Sequence, residues 1–427
     1  MRNVFSKYYG WVLMLGPGLV FALSVVGPGD IVANAAAGTE YGYTLIWALG
    51  LTLVFRYVWI NTSAKYVLVT GKTLLQGYAT VGNWVVWALF VSMILVKHLQ
   101  NVYKVVLIGS TAELLFPLPI ESSGTIWALL FTLSGFAMMF WGGYTAVERV
   151  FKFLIALLGG FLIVGAFLSE PDLPGIIQGT LIPSLPQASG MYSAIFLLMV
   201  LIGTESGSMT NLTYTYFMYE KGWRDTSYLK RQRFDLAFGA GCIFALGALL
   251  QITAAGTLGR SNMQLEGTGD LMQILVESQG SLGFVVFGLG LFAAVFTSYV
   301  GATTGYGLIV TDIGRRLLPS IGGLFGKPPD TKDVKRDPVY RWFIAFWSLS
   351  PLYILFFDVK PIPLVLIVSA LTVILIPLLA ICLLVITNKR EVMGDLKNSW
   401  LVNAVLVTLV AASLYLTVVN GIAWLRN

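Results

Sequence analysis

Charge is what this sequence has least of. Of 427 residues, 27 are Lys or Arg and 21 are Asp or Glu, together 11% of the chain, where an ordinary soluble protein carries roughly 25%. Too little polar surface is available to cover a water-soluble fold. A soluble enzyme, a disordered chain and a nucleic-acid binder are excluded on that ground. Histidine occurs once, at His98, and cysteine twice, at Cys242 and Cys382. One histidine cannot build a multi-histidine metal site. Two cysteines inside apolar runs give neither a disulfide framework nor a metal cluster, so no resident cofactor is expected. The first apolar run continues into further sequence of membrane character, so it is not expected to be a cleaved signal.

What is present is hydrophobicity. Apolar residues make up 57% of the chain and the mean hydropathy is +0.79. A membrane helix needs about 20 apolar residues. The pattern predicts an all-α integral membrane protein of about eleven spans, near 12–39, 43–64, 84–109, 124–142, 150–168, 190–219, 235–258, 283–311, 341–357, 361–387 and 400–424. The basic residues test this map. With the N-terminus inside, 21 Lys and Arg fall in inside segments, while Arg260, Lys360 and Arg426 fall outside. Arg56, Lys97 and Lys104 fall within spans. That asymmetry is the positive-inside pattern and predicts a cytoplasmic N-terminus and an external C-terminus. The net charge of +6 is therefore an inside-loop signature and no sign of an acidic partner. The lipid bilayer is the expected surrounding, in a bacterial inner or plasma membrane.

Two acids lie at membrane depth. Asp30 sits in Gly27-Pro28-Gly29-Asp30 and Glu205 in Gly203-Thr204-Glu205-Ser206-Gly207-Ser208. Ionisable groups at that depth are costly and mark functional pockets. Irregular backbone there is tolerated only where protein or water satisfies it. Two interrupted spans, the first and the sixth, each with an acid at the break, point to a transporter built from inverted repeats. An odd separation of five makes those spans cross in opposite directions, as such repeats require. The predicted division is residues 1–187 for one five-helix repeat, 188–398 for its inverted copy and 399–427 for an eleventh helix and the C-terminus.

Carboxylates plus freed carbonyls make a hard oxygen site. Asp30 and Glu205 are the expected charged ligands, with Gly27, Thr204, Ser206, Ser208 and Asn34 adding neutral oxygens. Oxygen-only ligands favour Mg²⁺ or Mn²⁺ over softer metals. Lys97, His98, Asn101 and Lys104 of the third span are candidate charge partners or coupling groups. A lysine paired with one of the acids gives the alternative of a small organic solute, such as an amine. His98 fits a packing role better than a ligand role, and Lys104 can equally snorkel to the interface. A membrane enzyme finds no support, because no nucleophile–base pair is visible at depth. Gly27-Pro28-Gly29-Asp30 matches the G-x-G-D of intramembrane aspartyl proteases, but the second intramembrane Asp after a Tyr is missing.

Gly16-Pro17-Gly18, then Gly27-Pro28-Gly29-Asp30, Ala37-Gly38 and Gly42-Tyr43 resemble the first span of the Nramp divalent-metal transporters. Val69-Thr70-Gly71-Lys72, Glu148-Arg149-Val150, Pro183-Ser184-Leu185-Pro186, Val392-Met393-Gly394-Asp395-Leu396 and Asn398-Ser399 match in order across nearly the whole chain. The resemblance implies a LeuT-type fold of five plus five inverted helices with helices 1 and 6 discontinuous. It also implies a secondary transporter of divalent cations working by alternating access. Departures cluster at the chemistry. The family's first-span Asp is Gly27 here and its Asn is Asp30. Its sixth-span Met and His correspond to Ser208 and Thr210. Its third-span acids correspond to Asn101 and Lys104, which argues against proton coupling. Glu205 has no counterpart in the family pattern, so the site is a rebuilt one.

Overall fold

The computed structural model describes residues 27–141, 144–187, 191–207, 209–261, 263–328 and 333–426. Gly16-Pro17-Gly18, the first half of the first span and Ser208 lie outside the described residues. Every regular element among the described residues is helical. Nine helices there are long and apolar enough to cross a membrane.

The first described helix, α1 (Pro28–Tyr41), starts where its chemistry says it should. Pro28 is its first residue, where a missing N–H costs nothing, and the Asp30 carboxylate accepts from the Gly27 N–H at 2.9 Å. α2 (Ile46–Thr70) runs six residues beyond the expected end of the second span. The extension is held by Lys65, which is buried and donates to Asn398 Oδ1 at 3.0 Å. Asn398 in turn donates to Thr387 Oγ1 at 2.7 Å. The Asn398-Ser399 pair that carried part of the resemblance is thus a polar tie between two distant spans.

α3 (Asn83–Leu115), α4 (Ser123–Trp141) and α5 (Tyr144–Leu168) follow. A π-helical turn at Met93–Lys97 interrupts α3 just before the polar stretch of that span. The sixth span is two helices, α6 (Ala194–Glu205) and α7 (Thr210–Glu220), as the sequence predicted. α8 (Leu229–Gly256) lies along α1 and α2. α9 (Val276–Asp312) packs on α5 and α3 and bends at Gly280, whose φ is 60°. α10 (Pro338–Leu349) passes into a 3-10 turn around Pro351. α11 (Pro361–Asn388) packs on α6, α1 and α3, and α12 (Trp400–Arg426) covers α11.

One loop clamp stands out beyond the end of α9. Arg315 donates to both Asp337 oxygens, from Nε at 2.9 Å and from Nη2 at 2.8 Å. Its Nη1 donates to the Gly322 and Gly326 carbonyls at 2.8 and 2.7 Å. The fork geometry of arginine suits this double use, and charged hydrogen bonds of this kind contribute about 1.5–3 kcal/mol each before exposure is discounted. Arg315→Ala should lower stability by about 2 kcal/mol, measured as thermal unfolding in detergent. Asp337→Ala added to it should cost only about 1 kcal/mol more, from the helix cap that its Oδ1 makes with the Val339 N–H at 2.8 Å. Fully additive losses would show that the two side chains do not act together.

Candidate functional site

The break between α6 and α7 releases carbonyls, and side chains from α11, α2 and α7 itself satisfy them. Thr372 Oγ1 donates to Gly203 O at 3.0 Å. Arg56 Nη2 donates to Thr204 O at 2.8 Å. Asn211 Nδ2 donates to Ser206 O at 2.9 Å. Gly207 makes the turn itself with φ +68°, a backbone state that side chains oppose. Gly203 is required for a different reason. A Cβ there would collide with the backbone carbonyl of Ser369 on α11.

The two intramembrane acids meet through one asparagine. Asn34 Nδ2 donates to Glu205 Oε1 at 2.7 Å and to the Asp30 carbonyl at 2.8 Å. Its Oδ1 accepts from Gln251 Nε2 of α8 at 2.8 Å. That acceptor contact fixes which way the amide faces. Spacing of i, i+4 on α1 places Asn34 one turn above Asp30, and the α1–α6 contact brings Glu205 to it. Asp30 Oδ1, Glu205 Oε2 and Ser206 Oγ are buried and have no hydrogen-bond partner. Gly27 contributes less than expected, since its carbonyl accepts the Asp30 and Ile31 N–H groups of α1 at 3.1 and 3.2 Å. The Thr204 hydroxyl turns back to the Val200 carbonyl at 3.1 Å.

Sequence reasoning set Arg56 aside, and the structure places it at the centre. It is 1% exposed, and its Nη1 lies 3.7 Å from Glu205 Oε2. The sequence expectation gave this role to Lys97 or Lys104. Instead Lys97 donates to Gln100 Oε1 at 3.2 Å and Lys104 to Ser298 O at 3.1 Å. A cavity of about 50 Å³ is lined by Asp30, Arg56, Lys97, Lys104, Tyr103 and Tyr306 among others. A smaller apolar one of about 20 Å³ lies behind Asp30, Asn34 and Glu205, against α5 and α8. His98 packs away from the site. Its Nε2 meets Ser350 Oγ at 2.7 Å, with Phe346 and Tyr353 stacked on the ring. Asn101 reaches Thr303 Oγ1 and the Trp347 carbonyl at 3.3 and 3.0 Å.

Against known proteins, the profile of the family described as natural resistance-associated macrophage protein-like, or Nramp, matches residues 18–423. The chain belongs to the Nramp family. Among its relatives is a protein of Aeromonas hydrophila named divalent metal cation transporter MntH, 23% identical over 401 residues, covering 92% of this chain and 91% of the relative. A protein of the same name from Yersinia pestis is 23% identical over 394 residues, covering 90% and 89%. The manganese transporter of Eremococcus coleocola, solved in complex with an aromatic bis-isothiourea substituted compound, superposes with a TM-score of 0.70 at 15% identity. That match covers 96% of this chain and 87% of the other. The fold is thus the LeuT-type arrangement that the sequence resemblance implied. The relatives' names agree with a transporter and not with an enzyme. Within this Nramp chain, the Asp30, Asn34 and Glu205 constellation stands where the start of α1 meets the break between α6 and α7.

Proposed function

We propose that this chain is a secondary transporter that moves a divalent cation by alternating access, with Asp30 and Glu205 as its charged ligands. The observation that carries the reading is that three buried oxygens at this one place, Asp30 Oδ1, Glu205 Oε2 and Ser206 Oγ, are among those left without a hydrogen bond. Buried polar atoms are almost always partnered. Three buried oxygens without a hydrogen bond, around the start of α1 and the break between α6 and α7, suit a cation that enters and leaves. The donor set holds no sulfur and no imidazole. It therefore favours a hard ion such as Mg²⁺ or Mn²⁺. The family's proton-linked acids are replaced by Asn101 and Lys104, so the reading includes no coupled proton. The inverted repeats, 1–187 and 188–398, are the two bodies whose rocking would open the pocket to each side in turn, with the N-terminus inside.

The test is uptake into proteoliposomes. Asp30→Ala and Glu205→Ala should each lower Mn²⁺ and Mg²⁺ uptake by about tenfold or more, as expected for loss of a charged ligand contributing 1.5–3 kcal/mol. Uptake by both variants at the wild-type rate sinks the assignment. A second reading rests on Arg56, which already fills the place of a cation between Thr204 O and Glu205. In that reading the cargo is a small organic solute. Thermal-shift screening separates the two, since stabilisation by amines or amino acids and not by metals would favour the second.

A further inference from the structure

The three cations around the cavity lead further than the two acids do. Arg56, Lys97 and Lys104 are 1%, 1% and 4% exposed, and all three line the same space. Five buried ionisable groups of the acid and base types surround the meeting point. They are these three cations and two acids, Asp30 and Glu205. With all five ionised, one positive charge is in excess. Among the described residues no carboxylate forms an ion pair with Lys97 or Lys104. The residues outside that set contain a single acid, Asp330, in the long loop. Each ammonium has three N–H groups, and one acceptor is seen for each, Gln100 Oε1 and Ser298 O. Arg56 Nε and Nη1 have no hydrogen-bond partner. Uncompensated buried charge is strongly disfavoured, so donors of this kind gathered on one cavity call for a negative partner.

We propose that this cavity is a binding site for one compact monovalent anion, held by Lys97 and Lys104 with Arg56 at its edge. The volume of about 50 Å³ sets the size. One water needs roughly 10–15 Å³ on this measure, so the space holds a few water-sized groups, enough for a halide or a single carboxylate group. One such anion brings the five groups to neutrality. When a divalent cation joins Asp30 and Glu205, the anion shields it from the two ammoniums. The inference deepens the cation reading at its neighbouring site and does not depend on it for its test.

The test uses the full-length purified chain in detergent, with a bulky sulfonate such as HEPES as the starting anion and ionic strength held constant. Chloride and acetate are titrated in separately and thermal stability is read. Saturable stabilisation by one or both is expected, and the better of the two separates halide from carboxylate chemistry. Lys97→Met and Lys104→Met should weaken that response roughly thirtyfold or more, as for loss of one partner of a buried charge pair. Lys97→Arg and Lys104→Arg should retain it, as should Lys360→Gln, whose lysine does not line the cavity and is paired with Glu266. If the Met variants do not fold, the wild-type titration and the Arg variants still decide. No stabilisation of the wild type by chloride or acetate overturns the proposal, as does stabilisation that both Met variants keep. Mn²⁺ is added in a parallel arm. Anion binding without Mn²⁺ binding leaves this site standing and removes the cation reading. Mn²⁺ binding with no anion response does the reverse.

Discussion

Arg56→Met should be the most damaging single change in the pocket. It strips Glu205 of the one ion pair it makes among the described residues and leaves the Thr204 carbonyl without its side-chain donor. Glu205 is fully buried, so its charge cannot turn to water. Removing one partner of a buried pair costs about 3–5 kcal/mol, because the other charge is stranded. The expected result is a large fall in thermal stability and a poor yield of monodisperse protein. Glu205→Gln in the same background should recover much of the loss, since the amide oxygen can still accept from Asn34. The double variant is the informative one. If it is no more stable than Arg56→Met alone, the damage comes from the lost Thr204 contact and not from stranded charge.

Gly203→Val should be the second. The added side chain meets the Ser369 carbonyl and the Thr372 hydroxyl of α11, the latter 2.9 Å from the position of a Cβ. Thr372 cannot retreat freely, because its hydroxyl also donates to Gly203 O. Forcing atoms into a packed contact typically costs about 1–3 kcal/mol, and more where backbone must move. Here backbone must move. α6 and α11 should part near the break, so that cargo uptake is lost together with stability. Gly203→Ala should show the same losses in weaker form. Normal uptake by the Val variant would mean that this helix contact is not needed to form the pocket.

Most of the scaffold was legible because membrane burial imposes strong rules on sequence. A charged residue at depth is rare enough to be noticed, and Asp30 and Glu205 were found that way. The break after Glu205 was readable from Gly203 and Gly207, and the position of Asn34 from its i+4 spacing to Asp30. The end of α2 was misjudged, since Lys65 looked like a loop residue until Asn398 supplied its partner. Arg56 was harder. A single arginine in an unbroken apolar span also fits snorkelling to the interface. Which carbonyl its planar head would meet depends on how α2 lies against α6. Lys97 and Lys104 were singled out from the sequence and line one cavity, but pattern alone could not say that a nearer cation would reach Glu205 first. Helical periodicity states which side chains share a face. It does not state which of several cations wins a given acid.

On the proposed alternating-access reading, the Arg56 contact to Thr204 and Glu205 also bears on the half of the cycle that carries nothing. An emptied carrier must present its vacant pocket to the other side of the membrane, and two bare carboxylates in hydrocarbon would hold it back. A guanidinium tethered to α2 stays with the protein through that return. It keeps the vacated acid partnered and gives the released carbonyl a donor. For a carrier built this way, the unloaded step need not wait for a second ion to make the crossing electrostatically tolerable.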